Sequence, residues 1–243
     1  MKKLYDKSHI WFAVLWIIAY CLLMSLGDSL STAVGIEKSV TFLIGSGLSA
    51  GLWFFLKRNN LLAYYGLCMP KVSAKEMLFY IPVLMMLTAN LWYGTAIRHE
   101  MAETVLWILT MFCVGFLEEI IFRGLLFEAM REENVNSAVI VSSITFGIGH
   151  IINLFNGSGM ELLPNLLQVL YATAAGFMFV MMYRKSKSLA VCIVSHSMFN
   201  ALSIFSNDTA ATSHMQILTA ILLTIITGSY AAYLAWSMKT DKV

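Results

Sequence analysis

The stretch 104–127, TVLWILTMFCVGFLEEIIFRGLLF, is an apolar run long enough to cross a bilayer, yet its second half holds three ionisable residues. At ~1.5 Å rise per residue such a helix exceeds the ~30 Å hydrocarbon core. A charge at mid-bilayer costs roughly 2.5–3.5 kcal/mol on insertion scales, so Glu118, Glu119 and Arg123 need partners or a task. Glu119 and Arg123 lie four apart on one helical face, acid before base, the favourable order for a pair. Glu118 lies about 100° around the helix and is left without that partner. One acid reads as structure; the other is free for chemistry.

Composition agrees with a chain built for lipid. Of its 243 residues, 59% are hydrophobic and 12% charged, and the mean hydropathy is +0.74. A soluble domain would be about 25% charged, so the composition excludes one and indicates a polytopic membrane protein. The four cysteines (Cys21, Cys68, Cys113, Cys192) are scattered without disulfide or zinc-knuckle spacing and read as small buried hydrophobes. The lysine-rich N-terminus precedes an apolar run without a small-residue cleavage site, which reads as an uncleaved first span.

Working outward from residues 104–127, seven further apolar segments can be drawn, at 10–26, 40–56, 77–97, 137–153, 162–183, 188–206 and 214–236. Of the 16 lysines and arginines, only Lys38 and Arg98 fall on one side of this arrangement, and Arg123 lies within a span. The positive-inside rule then predicts eight spans with both termini cytoplasmic. The expected fold is an all-α polytopic membrane helix bundle of about eight transmembrane helices, residues 1–243 forming a single integral membrane domain. The segment Leu61–Leu67 is expected to lie along the interface, where its tyrosines would be comfortable. Two glycosylation sequons, at Asn156 and Asn207, fall in non-cytoplasmic loops and matter only in a eukaryotic source. No nucleic-acid partner is expected; lipid and a membrane-associated substrate are.

Two further spans carry histidines with polar neighbours. Residues 146–150 read Phe-Gly-Ile-Gly-His, and residues 195–200 read Ser-His-Ser-Met-Phe-Asn. His196 and Asn200 are one helical turn apart and share a face. Gly147 and Gly149 remove side chains beside His150, which lets a neighbouring helix or a substrate backbone come close. Each feature alone reads as interhelical glue. Gathered in three spans of an otherwise nearly uncharged set, Glu118, Glu119, His150, His196 and Asn200 read as a site. Carboxylate, imidazole and carboxamide groups suit activation of water beside a carbonyl, with donors for the oxygen that becomes negative. Ser195 and Ser197 point away from the imidazole between them, which disfavours a serine nucleophile. His99-Glu100-Met101-Ala102-Glu103 begins like a zinc-protease helix but has Glu where the second His must stand, and it is discounted.

The motifs Glu-Glu-x-x-x-Arg at 118–123, Phe-x-x-x-His at 146–150 and His-x-x-x-Asn at 196–200 occur in that order, each in its own span. Together they resemble the CPBP family, the type II CAAX prenyl endopeptidases and bacteriocin-processing and bacteriocin-immunity membrane proteins also called Abi. The likeness covers residues 104–206, the motif-bearing core. The resemblance implies an intramembrane endopeptidase in which Glu118 and His150 hold and activate water. His196 and Asn200 would form the oxyanion hole, and Glu119 and Arg123 would brace the site. Zinc could in principle be ligated by Glu118, His150 and His196; the metal-free glutamate mechanism suits Asn200 better and is favoured, with no cofactor. The implied substrate is a peptide or a membrane protein's terminal segment at a bacterial cell membrane, with peptide maturation or a bacteriocin-related role ahead of prenyl-protein processing. A non-proteolytic immunity or scaffold protein is the alternative, and a proton-relay transporter a third reading. One geometric tension remains at this stage. His150 falls near the outer end of its span while Glu118 is nearer the middle, so the fifth helix must be shifted, or tilted and followed by a re-entrant stretch.

Overall fold

Every long apolar run in the chain becomes a helix. The computed structural model describes residues 1–73, 76, 80–156 and 160–240. The first residues of the expected third span (77–79) and part of the Asn156 sequon lie outside them. In chain order the helices are α1 (Lys2–Lys7), α2 (His9–Val34), α3 (Ser39–Arg58), α4 (Tyr80–Thr88), α5 (Met101–Glu118), α6 (Phe127–Arg131), α7 (Val135–Gly149), α8 (Leu162–Ser186), α9 (Leu189–Leu202) and α10 (Ser213–Thr240). A π-helical segment, Glu119–Leu126, fuses α5 to α6, and 3-10 turns extend α4, α7 and α9. Among the described residues the one β-type pairing is an isolated bridge between Thr95 and Ser206.

Six of these units are long and apolar enough to cross a membrane: His9–Val34, Ser39–Arg58, Met101–Arg131, Val135–Leu154, Leu162–Ser186 and Ser213–Lys239. The other two expected spans are shorter helices, Tyr80–Leu91 and Leu189–Phe205. The latter has 17 residues, or about 26 Å at ~1.5 Å per residue, less than the hydrocarbon core. It is nonetheless a central element, packed between α5 and α8. Its apolar character reflects burial in protein as much as contact with lipid.

Helix ends follow the local chemistry. Ser8, Asn134 and Ser188 cap α2, α7 and α9, each side chain accepting from a backbone N–H in the first turn. Outward-facing Trp11, Leu22, Leu43, Phe54 and Ile225 remain exposed, as suits helices whose outer surface meets acyl chains. Inside, α8 packs on α7, α10 and α9, while α5 packs on α3 and α9. The π-helical segment touches α2, α7, α8 and α9, and all eight of its residues are buried. The charged stretch is thus at the centre of the bundle.

The Leu61–Leu67 segment corrects the interfacial expectation. Tyr64 is exposed, but Tyr65 is buried with its hydroxyl 2.9 Å from that of Tyr5. The Gly66 carbonyl accepts from Leu189 N at 2.7 Å, and Ser188 Oγ donates to the Cys68 carbonyl. The segment is a clamp on the start of α9, with one tyrosine at the surface and one in the core. All four cysteines are free; Cys192 is buried and the others are half-buried.

Candidate active site

Two close helix approaches build the site. A Cβ added at Gly115 would lie 2.2 Å from Ser197 Oγ and 2.8 Å from Ser197 N, so α5 and α9 meet almost backbone to backbone. A Cβ at Gly147 would likewise lie 2.8 Å from Thr173 Cα, which brings α7 against α8. Gly149 has open space around it, so only the first glycine of the pair serves close packing. Small residues at such crossings are how helices approach each other where lipid supplies little hydrophobic drive.

These contacts deliver His196 to the charged stretch. Its Nδ1 lies 2.8 Å from Glu119 Oε1 and its Nε2 lies 3.4 Å from Glu118 Oε2. The two adjacent carboxylates therefore take the two nitrogens of one imidazole. Glu119 Oε1 also accepts from Arg123 Nη1 at 3.1 Å, and both residues are 0% exposed. The pair expected from i,i+4 spacing is present, with His196 as a third member. Glu118 is not partnerless, contrary to the helical-wheel reading. Tyr20 on α2 donates its hydroxyl to Glu118 Oε1 at 2.6 Å. Glu118 Oε2 accepts no hydrogen bond from the described residues.

Aromatic rings wall the cluster. Phe179 stacks on His196 at 5.2 Å between centroids, and Phe146 meets it edge-on at 5.6 Å. The Arg123 guanidinium carbon lies 4.1 Å from the Phe146 ring centre, a cation–π contact that partly replaces lost hydration. His150 leans on the same Phe146 ring from another side at 5.1 Å. It begins the 3-10 turn His150–Leu154, which continues α7 and is tied to α8 by Asn165 Nδ2 donating to the His150 carbonyl at 2.8 Å. The helix extends past His150 in a tighter form as far as Leu154. The imidazole Nδ1 lies 3.0 Å from the Phe146 carbonyl. That oxygen can only accept, so Nδ1 carries a proton, and in the neutral ring Nε2 keeps the lone pair.

Asn200 sits one turn beyond His196, half-buried, and its carboxamide makes no hydrogen bond to the described residues. Neither Ser195 nor Ser197 bonds the imidazole, and Ser197 Oγ is buried without a partner. Among the described residues no three His, Cys, Asp or Glu side chains are grouped to hold a metal ion. In His150 and His196 alike Nδ1 is the engaged nitrogen, held by the Phe146 carbonyl and by Glu119, and Nε2 is the one turned to the site.

Sequence reasoning missed two members of this region. Tyr20 had no signal beyond being a lone phenol within the first span. Glu128, buried and holding Tyr183 Oη at 2.8 Å with Arg131 alongside, was hidden at the span's end. The π-helical turn was also unread; such wide turns recur at functional sites.

Residues 100–202 match the Rce1-like family of type II CAAX prenyl endopeptidases. The Rce1-like segment contains Glu118, Glu119, Arg123, His150, His196 and Asn200 and coincides closely with the expected core, 104–206. The chain is also 34% identical over 111 residues to a Bacillus subtilis (strain 168) protein named "Putative membrane peptidase YdiL". That alignment takes in 45% of this chain and 40% of the relative's length. Both names are those of peptidases, and neither supports the bacteriocin-immunity alternative. Tyr20 lies outside the Rce1-like segment. The chain is a multi-pass integral membrane protein whose residues 100–202 are similar to the Rce1-like family.

Proposed function

We propose that the chain is an intramembrane endopeptidase that hydrolyses a peptide bond in a membrane-associated peptide or protein with water activated by Glu118 and His150. The observation that carries this reading is the buried, unbonded Oε2 of Glu118, facing His196 Nε2 at 3.4 Å while Tyr20 holds the other oxygen. A buried carboxylate oxygen left without a donor is costly unless it has a use; Glu119 Oε2 is unbonded too, but Glu119 is fully enclosed at 0% exposure, whereas Glu118 keeps 8%.

The steps follow from the hydrogen-bond polarity. His150 Nε2, a lone-pair acceptor, and Glu118 Oε2 both accept from one water. Glu118 takes a proton as the water oxygen bonds to the carbonyl carbon. His196 Nε2, 3.4 Å from Glu118 Oε2 and not hydrogen-bonded to it, is the donor to the developing oxyanion when it carries a proton, and Glu118 is the base. The free carboxamide of Asn200 supplies the second donor. The carbon–nitrogen bond then breaks, and Glu118 returns its proton to the leaving amine. Glu119 and Arg123 hold His196 in the orientation this requires. Residues 104–206 form the catalytic core, and the lysine-rich end of the bundle, with both termini, faces the cytoplasm.

The likeness to prenyl endopeptidases favours a C-terminal segment of a membrane-anchored protein as the substrate class. The test is reconstitution of the full chain with such peptides, prenylated and not, followed by mass spectrometry of the products. Cleavage is expected to persist with a chelator and to vanish in His150→Ala. Uncleaved peptides in every condition, or a His150→Ala variant as active as the parent, would overturn the reading.

A further inference from the structure

A hollow of about 830 Å³ lies far from the acidic centre, where α7 begins and α8 and α10 end. Arg184, Lys185, Lys187 and Lys239 line it. Glu76 is the one acid among the described lining residues, and its Oε1 already accepts from Ser73 Oγ at 2.8 Å. Between the bases runs an apolar wall that includes Val139, Met181 and Met238. Among the described residues, Arg184, Lys187 and Lys239 have no carboxylate within ion-pair distance. Some bases elsewhere are paired: Lys38 with Asp28, Arg98 with Asp208, Arg131 with Glu128. Partial burial, with Arg131 and Arg184 close by, holds the Lys187 ammonium below its ordinary range. A cation crowded by cations and partly dried is stabilised by an incoming anion.

We infer that this hollow binds the phosphate head group of an anionic phospholipid, with Arg184, Lys187 and Lys239 around the phosphate and the acyl chains along the Val139–Met181–Met238 wall. Three features select a lipid. The bases stand at the ends of spanning helices, where a leaflet's head groups lie. The wall is apolar, which a free anion would not use. The opening is between helices, the usual form of basic sites for acidic head groups. The site is separate from Glu118, so it holds whether or not the chain cleaves peptides.

The test uses the full chain in a neutral detergent, titrated with dioctanoyl phosphatidylglycerol while thermal unfolding is followed. The midpoint is expected to rise with phosphatidylglycerol and to stay flat with dioctanoyl phosphatidylcholine or with inorganic phosphate. Replacing Arg184, Lys187 and Lys239 together by Gln is expected to weaken the apparent affinity roughly 10²-fold, at about a factor of five per charge. Replacing Lys2, Lys57 and Arg58 by Gln, three bases outside the hollow, should leave it unchanged. Should the triple variant not fold, Lys239→Gln alone still reports, with an expected loss of about fivefold. Equal stabilisation by the two lipids, stabilisation by inorganic phosphate at the same concentration, or an equal loss in the control triple would each overturn the inference.

Discussion

Two histidines in this chain each stand between two glutamates. His196 has Glu119 at 2.8 Å and Glu118 at 3.4 Å, and its side chain is 5% exposed. His99 has Glu37 at 3.6 Å and Glu103 at 3.7 Å, and its side chain is 21% exposed, with Glu37 half in solvent. Each also has an aromatic ring alongside, Phe179 for His196 and Trp107 for His99. Residue types alone do not separate the two. In sequence His99 is the more suggestive, because it opens a motif like that of a zinc-protease helix. What separates them is burial. At His99 water can solvate every charge, so the contacts stay loose and no group is forced into a special role. At His196 the same chemistry is sealed among Phe146, Phe179 and the bundle, and among the described residues one oxygen of each glutamate and two nitrogens of Arg123 are left without a partner.

The largest effect that follows concerns the sealed cluster. Arg123→Gln strands Glu119 as a buried charge and is expected to lower stability by about 3–5 kcal/mol, read as thermal unfolding in detergent. A loss below about 1 kcal/mol would place the pair with ordinary surface bridges. Next, Asn200→Ala removes one oxyanion donor and is expected to reduce the cleavage rate by about 10²–10³ with folding intact. Tyr20→Phe deletes a hydrogen bond to a charged group, of about 1.5–3 kcal/mol, and should slow cleavage by about 10–100-fold. The smallest effect falls on the open cluster. His99→Gln should change stability by less than about 1 kcal/mol and leave cleavage as it is. A large loss there would erase the distinction between the two histidines.

The contrast also explains what the sequence could reveal. Glu119–Arg123 and the shared face of His196 and Asn200 were legible because each lies within one helix, where a fixed 3.6-residue period converts spacing into proximity. The Tyr20–Glu118 bond joins residues 98 positions apart, and no local period encodes it. The π-helical turn was hidden for a similar reason: its wider winding is set by packing on four neighbouring helices. Hydropathy located all eight apolar segments but not that two of them, Tyr80–Leu91 and Leu189–Phe205, form shorter helices, because a buried protein helix and a lipid-facing one are equally apolar. Tyr65 escaped because a tyrosine suits an interface and a core equally, and only the Tyr5 contact decides between them.

Adjacent carboxylates with divided duties can be tested most directly by comparing Glu118→Gln with Glu119→Gln in one reconstituted preparation, measuring peptide cleavage and thermal unfolding side by side. Glu118→Gln is expected to lose at least about 10²-fold in cleavage while unfolding near the parent temperature. Glu119→Gln, which breaks the buried pair with Arg123, is expected to unfold at a markedly lower temperature. Cleavage at the parent rate by Glu118→Gln would contradict the division and, with it, the assignment of Glu118 as the base.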